Sequence, residues 1–311
     1  MSVLLPPSPT LSGAWAAALS AAIAAPTGQR SHLLMTVTEP CTELAGMREA
    51  VDAVITTAGE QSVETVAGTI FPADLYPVPP MAWDKDLQSH DRAVLDQAAR
   101  SLYDKYTSML PLLLTADGSR YGTYFQRLVS YPGPGAGGFN QLASRITSIR
   151  AERTQARRQG NYFNLDLAQD GTDHADAHHI EDTSNIEGPQ ERREGPTDIW
   201  AGSGLQLLRP EQKHTRGFPC LVHIDLTMEQ DRLHLFAVYR RQNLVTKAYG
   251  NLLGLSRLQA FLSQQTGLGL GELTVMATFA DAEYGVLRKR QVYELSRHAT
   301  SLTNQQSRSK P

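Results

Sequence analysis

Two apolar runs, Phe218 to Leu226 and Leu233 to Arg241, flank the short break Thr227-Met228-Glu229-Gln230-Asp231-Arg232. Runs of that length and β-propensity around a single polar interruption predict an antiparallel hairpin. The turn midpoint falls between Gln230 and Asp231, so Cys220 and Arg241 lie almost equally far from it. The spacing sets them opposite or nearly opposite, within roughly 5 to 8 Å at the backbone if no bulge intervenes. A thiol beside a guanidinium in a partly open site has its thiolate favoured, and the thiolate is the nucleophile. The competing reading is a cysteine packed as a small hydrophobe and an arginine in a surface ion pair. His223 is not available as a base to that thiol, because strand side chains alternate and 223 points opposite to 220.

Around the hairpin, the pattern predicts helices at 12–25 and 43–57 with a strand at Leu33-Leu34-Met35-Thr36-Val37-Thr38 between them. Pro77, Pro79 and Pro80 interrupt regular structure before a helix at 86–109. Gly118 to Tyr131 reads as a turn plus a short aromatic segment, and Pro132 to Gly138 as a flexible connection. A helix from Leu142 ends in the basic cluster Arg150, Arg153, Arg157 and Arg158. After the hairpin, Asn251 to Gln265 is an amphipathic helix with Gly267 as its cap, Leu273 to Phe279 is a strand, and 300–311 reads as a frayed tail.

The chain of 311 residues, 41% hydrophobic and 20% charged, is long enough to bury a large core. No stretch approaches eighteen consecutive apolar residues, and the run Ala14 to Ala25 lacks the basic flank of a secretory signal, so the expectation is a soluble, cytoplasmic protein with no membrane partner. A formal charge of −3 argues against a nucleic-acid partner, while 23 Arg against 6 Lys supply planar forks suited to a small phosphorylated ligand. From 168 to 196 the chain is acidic and poor in apolar residues, and reads as an exposed, mobile insertion. Within it His174 and His178 stand at i, i+4, but a polar tract promises neither a fixed scaffold nor orienting partners, so no metal is expected.

Several segments together resemble the thymidylate synthase family. Phe218-Pro219-Cys220 is similar to its Pro-Cys nucleophile strand, Tyr239-Arg240-Arg241-Gln242 to its Tyr-Gln-Arg-Ser phosphate segment, and Ala248-Tyr249-Gly250-Asn251 to the segment carrying its pyrimidine-reading Asn. Tyr121-Gly122 with Arg127, then Phe139-Asn140-Gln141-Leu142, resemble its Tyr-Gly-x-x-x-Arg segment and the Asp-Gln-Leu beyond it. The matches span about residues 118–285 and are interrupted by the acidic insertion.

The resemblance implies an α+β fold in which a mixed β-sheet is packed with helices, as one domain over 1–299. It implies that Cys220 adds to C6 of a pyrimidine nucleotide, that C5 then attacks a one-carbon unit from methylenetetrahydrofolate, and that Tyr121 assists proton removal at C5. Arg241, with Arg240 and Gln242 beside it, would grip the 5′-phosphate. Asn251 would read the base, and Asp281 and Tyr284 would correspond to the sugar-binding run. The family's phosphate site also takes an arginine pair from a second subunit, which implies a homodimer in which Arg157-Arg158 or Arg192-Arg193 crosses the interface.

The sequence departs from the family at defined places. Leu221 stands where most members carry His, Leu244 falls near the base-reading Asp, Glu283 replaces the His of the sugar-binding run, and Tyr284 comes one place early. The early active-site Glu and the apolar C-terminal residue that closes over folate have no counterpart. Uridylate or cytidylate, and methylation or hydroxymethylation, therefore remain alternatives, together with a nucleotide-binding or sensing protein that has lost catalysis.

Overall fold

A computed structural model describes residues 2–78, 92–115, 122–131, 138–154, 205–206 and 219–309. In chain order the elements are β1 (Val3–Leu4), α1 (Leu11–Ile23), β2 (Gln29–Val37), α2 (Met47–Thr57), α3 (Val63–Gly68), a 3-10 turn (Ala73–Leu75), α4 (Arg92–Leu113), α5 (Tyr124–Val129), α6 (Gln141–Thr154), β3 (Leu205–Gln206), β4 (Leu221–Glu229), β5 (Arg232–Tyr239), β6 (Gln242–Asn243), α7 (Ala248–Thr266), β7 (Gly269–Asp281) and α8 (Lys289–Ser309). The strands make one mixed sheet in the order β1-β2-β7-β5-β4-β3, with β6 also pairing β7. Strand β7 runs antiparallel to β2 and parallel to β5, which it reaches through the α7 crossover.

Strict alternation puts Leu33, Met35 and Val37 of β2, Leu233, Leu235, Ala237 and Tyr239 of β5, and Leu273, Val275 and Ala277 of β7 into the core. Helix α7 is buried along nearly its whole length, and several of its polar side chains are engaged, although Ser263 Oγ and Gln259 Oε1 have no hydrogen-bond partner. Gln259 Nε2 donates to the carbonyls of Leu233, Gly271 and Glu272, and Gln265 Nε2 donates to Leu95 O and Tyr76 Oη. The C-terminus of α7 is closed by Gly267 and by two members of the basic cluster. Arg150 Nε reaches Gln265 O at 2.7 Å and Arg153 Nη1 reaches Thr266 O at 2.6 Å, so these cations satisfy terminal carbonyls and complement the helix dipole.

The hairpin forms around Gln230 and Asp231, both with positive φ (49° and 60°), as a tight two-residue turn that follows the strand twist. Its register departs from simple counting. Leu226 faces Leu235 and His223 faces Val238, but Leu221 faces Tyr239, so Val222 is an extra residue in a bulge. Cys220 consequently pairs with Arg240, whose N–H donates to Cys220 O at 2.9 Å, and not with Arg241. The bulge also cancels the parity argument about His223, since one inserted residue exchanges the faces beyond it.

Other boundaries also differ from the sequence pattern. The aromatic segment after Gly122 is the short helix α5, capped by Thr123, whose hydroxyl accepts from Gln126 N at 3.1 Å. The tail expected to fray from Thr300 continues α8 to Ser309, with Val292, Leu295 and Ala299 buried and the helix packed on α1. The acidic insertion, with His174 and His178, lies outside the described residues.

Candidate functional site

Four segments converge on a cleft of about 300 Å³. The stretch into and out of α3 contributes Gln61, Val66 and Thr69, and the start of α5 contributes Gly122, Thr123, Tyr124 and Arg127. The open end of the hairpin contributes Pro219, Cys220 and Arg241, and the entry to α7 contributes Asn243, Lys247 and Asn251. Cys220, Arg241 and Asn251 are thus brought together, although the bulge removes the direct strand pairing that suggested the first two.

Each wall is fixed by packing or by backbone hydrogen bonds. Helix α3 lies close against α7 because Gly250 and Gly254 carry no Cβ; one built there would meet Val63 O and Ala67 O, each at 2.7 Å. Phe125 N donates to Thr69 O at 2.8 Å, which ties α5 to the end of α3. Arg240 Nε donates to Pro219 O at 3.1 Å, so this arginine steadies the Pro-Cys backbone and does not line the cleft.

The nucleophile candidate rests on a tyrosine. The Tyr124 hydroxyl oxygen accepts the backbone N–H of Cys220 and of Leu221, each at 3.2 Å. Burial pushes the Tyr124 phenol above its ordinary value, against the partial relief of those hydrogen bonds. Tyr239, fully buried and without a hydrogen-bond partner for its hydroxyl, is raised by burial and by the nearby Tyr124 and Cys220. Both phenols therefore stay protonated at neutral pH, and the contacts shown for Tyr124 use its oxygen as an acceptor.

Arg127, Arg241 and Lys247 put three cations on the wall, and no carboxylate or imidazole is among the described residues that line it. Arg241 Nη2 donates to Asp281 Oδ2 at 2.6 Å, and Nε lies 3.4 Å from Asn243 Oδ1. Lys247 Nζ donates to Gln61 Oε1 at 3.1 Å and pairs with Glu60 at 3.5 Å, which joins the α7 wall to the α3 wall. Two of the three cations are paired with carboxylates that do not line the cleft, and the donors on its wall suit an anionic ligand.

The remaining expected site residues are placed elsewhere. Gln242 is 1% exposed, and its Oε1 has no hydrogen-bond partner. Asp281 is buried behind Arg241 and also receives Gln29 Nε2 at 3.2 Å. The Tyr284 ring lies over Gly28, stacks on Tyr293 with centroids 6.3 Å apart, and carries Lys289 Nζ at 5.1 Å. None of these three lines the cleft. Tyr121, Arg157, Arg158, Arg192 and Arg193 lie outside the described residues, and no group of three or more metal-capable side chains occurs among the described ones.

Tyr124, Lys247 and Gln61 are among the site residues that sequence reasoning missed, with Val66, Thr69, Thr123 and Asn243. One signal for the first was present: Tyr124 and Arg127 are i, i+3, which on a helix sets them on one face. No protein-family model and no curated protein matches the sequence. Among the described residues, no helix is long and apolar enough to cross a membrane.

Proposed function

We propose that the cleft binds a pyrimidine nucleoside monophosphate and that Cys220 attacks C6 of its base, making C5 the site of methylation or hydroxymethylation. The observation that carries this reading is the meeting of a cysteine, three cations and the Asn251 carboxamide in one cleft of about 300 Å³, the low end of small-ligand sites. In the step itself the thiolate forms the S–C6 bond while the C5–C6 π pair moves onto C5 and its conjugated carbonyl. C5 then takes a proton from solvent, displaces the leaving group of an activated methyl donor, or adds to a formaldehyde-level carbon whose oxygen becomes the hydroxyl; loss of a C5 proton to solvent followed by expulsion of the thiolate restores the ring. Arg241 grips the phosphate, and Asn251, able to offer donor or acceptor, reads the base edge. Methylenetetrahydrofolate is the one-carbon donor that the resemblance implies, and no step here is routed through it.

One observation favours a second reading, a binding or sensing protein without catalysis. Among the described lining residues no carboxylate or imidazole is present to move a proton, and burial raises the Tyr124 phenol. Either way the phosphate grip is testable. Arg241→Ala weakens binding of the monophosphate at least about tenfold and leaves the matching nucleoside almost unchanged. Calorimetry on uridine and cytidine monophosphates, ribo and deoxy, reads this; equal losses for nucleotide and nucleoside contradict the assignment. The proposal includes a homodimer, with an arginine pair of the second copy completing the phosphate site. Light scattering that finds a monomer at micromolar concentration removes that part.

A further inference from the structure

The turn Asp281-Ala282-Glu283 touches two walls of the cleft without lining it. Asp281 Oδ2 holds Arg241 Nη2 at 2.6 Å, while Asp281 Oδ1 accepts the backbone N–H of Glu283 at 2.8 Å. Glu283, 5% exposed and at a φ of 62°, sends its carboxylate the other way. Oε2 accepts the N–H of Val245 and of Thr246, both at 2.8 Å, and Oε1 accepts the Thr246 hydroxyl at 2.6 Å. Those two peptides lie between Asn243 and Lys247, which both line the cleft, Lys247 one turn ahead of Asn251. A non-glycine residue in the left-handed region persists only where its surroundings over-determine it, and here three hydrogen bonds do so.

We infer that Asp281 and Glu283 are positioning residues, a brace that aims Arg241 into the cleft and fixes the 243–251 wall, and that neither contacts the ligand. The Arg241 side chain is 54% exposed and would otherwise sample many rotamers, whereas the Asp281 carboxylate is itself held by Gln29 and by the Glu283 backbone. With Nη2 anchored, the remaining guanidinium donors keep a fixed direction. Glu283 does the same for the backbone that carries Lys247 and Asn251. The inference rests on reading the cleft as the site around Cys220, but its test needs no nucleotide.

The probes are iodoacetate, an anion, and iodoacetamide, its neutral near-isostere, and the readout is the ratio of their alkylation rates at Cys220, followed on the full chain by peptide mass spectrometry. Arg241→Ala lowers the ratio. Asp281→Asn removes a negative charge, so charge alone predicts a higher ratio; a brace predicts a fall of at least about threefold, because Arg241 is no longer aimed. Glu283→Ala lowers the ratio as well, and Glu283→Gln, whose amide oxygen accepts the same two N–H groups, preserves it. Thr246→Val, which removes only the hydroxyl given to Oε1, is the milder arm should Glu283→Ala fail to fold, and it moves the ratio in the same direction. An unchanged or higher ratio in Asp281→Asn overturns the role of Asp281. Equal behaviour of Glu283→Gln and the wild type together with no fall in Glu283→Ala or Thr246→Val overturns that of Glu283, and so does a fall in Glu283→Gln. The expected ratios without nucleotide binding overturn the proposed function alone; nucleotide binding without them overturns the brace alone.

Discussion

The phenol oxygen of Tyr124 accepts the backbone N–H of Cys220 at 3.2 Å and that of Leu221 at the same distance, across 96 and 97 residues of chain. The contact joins α5 to the first residues of β4 and sets the peptide from which the thiol projects. Tyr124→Phe keeps the ring and leaves two N–H groups without that acceptor, each a group whose desolvation is costly. The variant loses about 2 kcal/mol of stability, read as a lower urea midpoint with an unchanged slope. A midpoint equal to the wild type contradicts the anchoring role.

Glu283 gives the fold a pH dependence of defined sign. Burial is the largest influence on its carboxyl and raises it above the ordinary 4.5, and the hydrogen bonds from Thr246 and Val245 only partly offset this. The folded state therefore binds this proton more readily than the unfolded chain does. Its contribution to stability is most favourable at low pH and is lost as pH rises from the unfolded value through the raised folded one, at about 1.4 kcal/mol per unit of separation. Glu283→Gln has no such proton. Urea unfolding of both proteins from pH 4 to 7 shows the wild type losing ground against the variant as pH rises; a difference that is flat or of opposite slope contradicts the sign.

How much of this was legible in the sequence depends on how far apart the partners lie. The hairpin was legible because period-2 alternation and a two-residue turn are local. The bulge at Val222 was not, because one extra apolar residue leaves the pattern of the run intact. Cys220, Arg241 and Asn251 share the cleft as the resemblance implied, yet Asp281 and Tyr284, placed beside them on the same grounds, are turned to Arg241 and to Tyr293. The roles of Tyr124 and Glu283 come from contacts across 96 and 37 residues, which no window of local pattern contains. The residues from Thr300, rich in Ser, Gln and Asn, carry the local pattern of a frayed tail, whereas α8, packed on α1, continues through them to Ser309.

The central claim is that Cys220 forms a covalent adduct at C6, and hydrogen exchange at C5 tests it without knowledge of the carbon donor. An adduct gives C5 carbanion character, so its hydrogen exchanges with solvent whether or not the donor is present. Uridine and cytidine monophosphates, ribo and deoxy, tritiated at C5, are incubated with the protein, and tritium released to water is counted. The account predicts release from at least one of them and its abolition in Cys220→Ser, since a serine hydroxyl is far less ionised than a thiol at neutral pH. Binding without release from any of the four, with and without methylenetetrahydrofolate, contradicts catalysis and leaves the binding reading. Release that survives Cys220→Ser contradicts the assignment of the nucleophile.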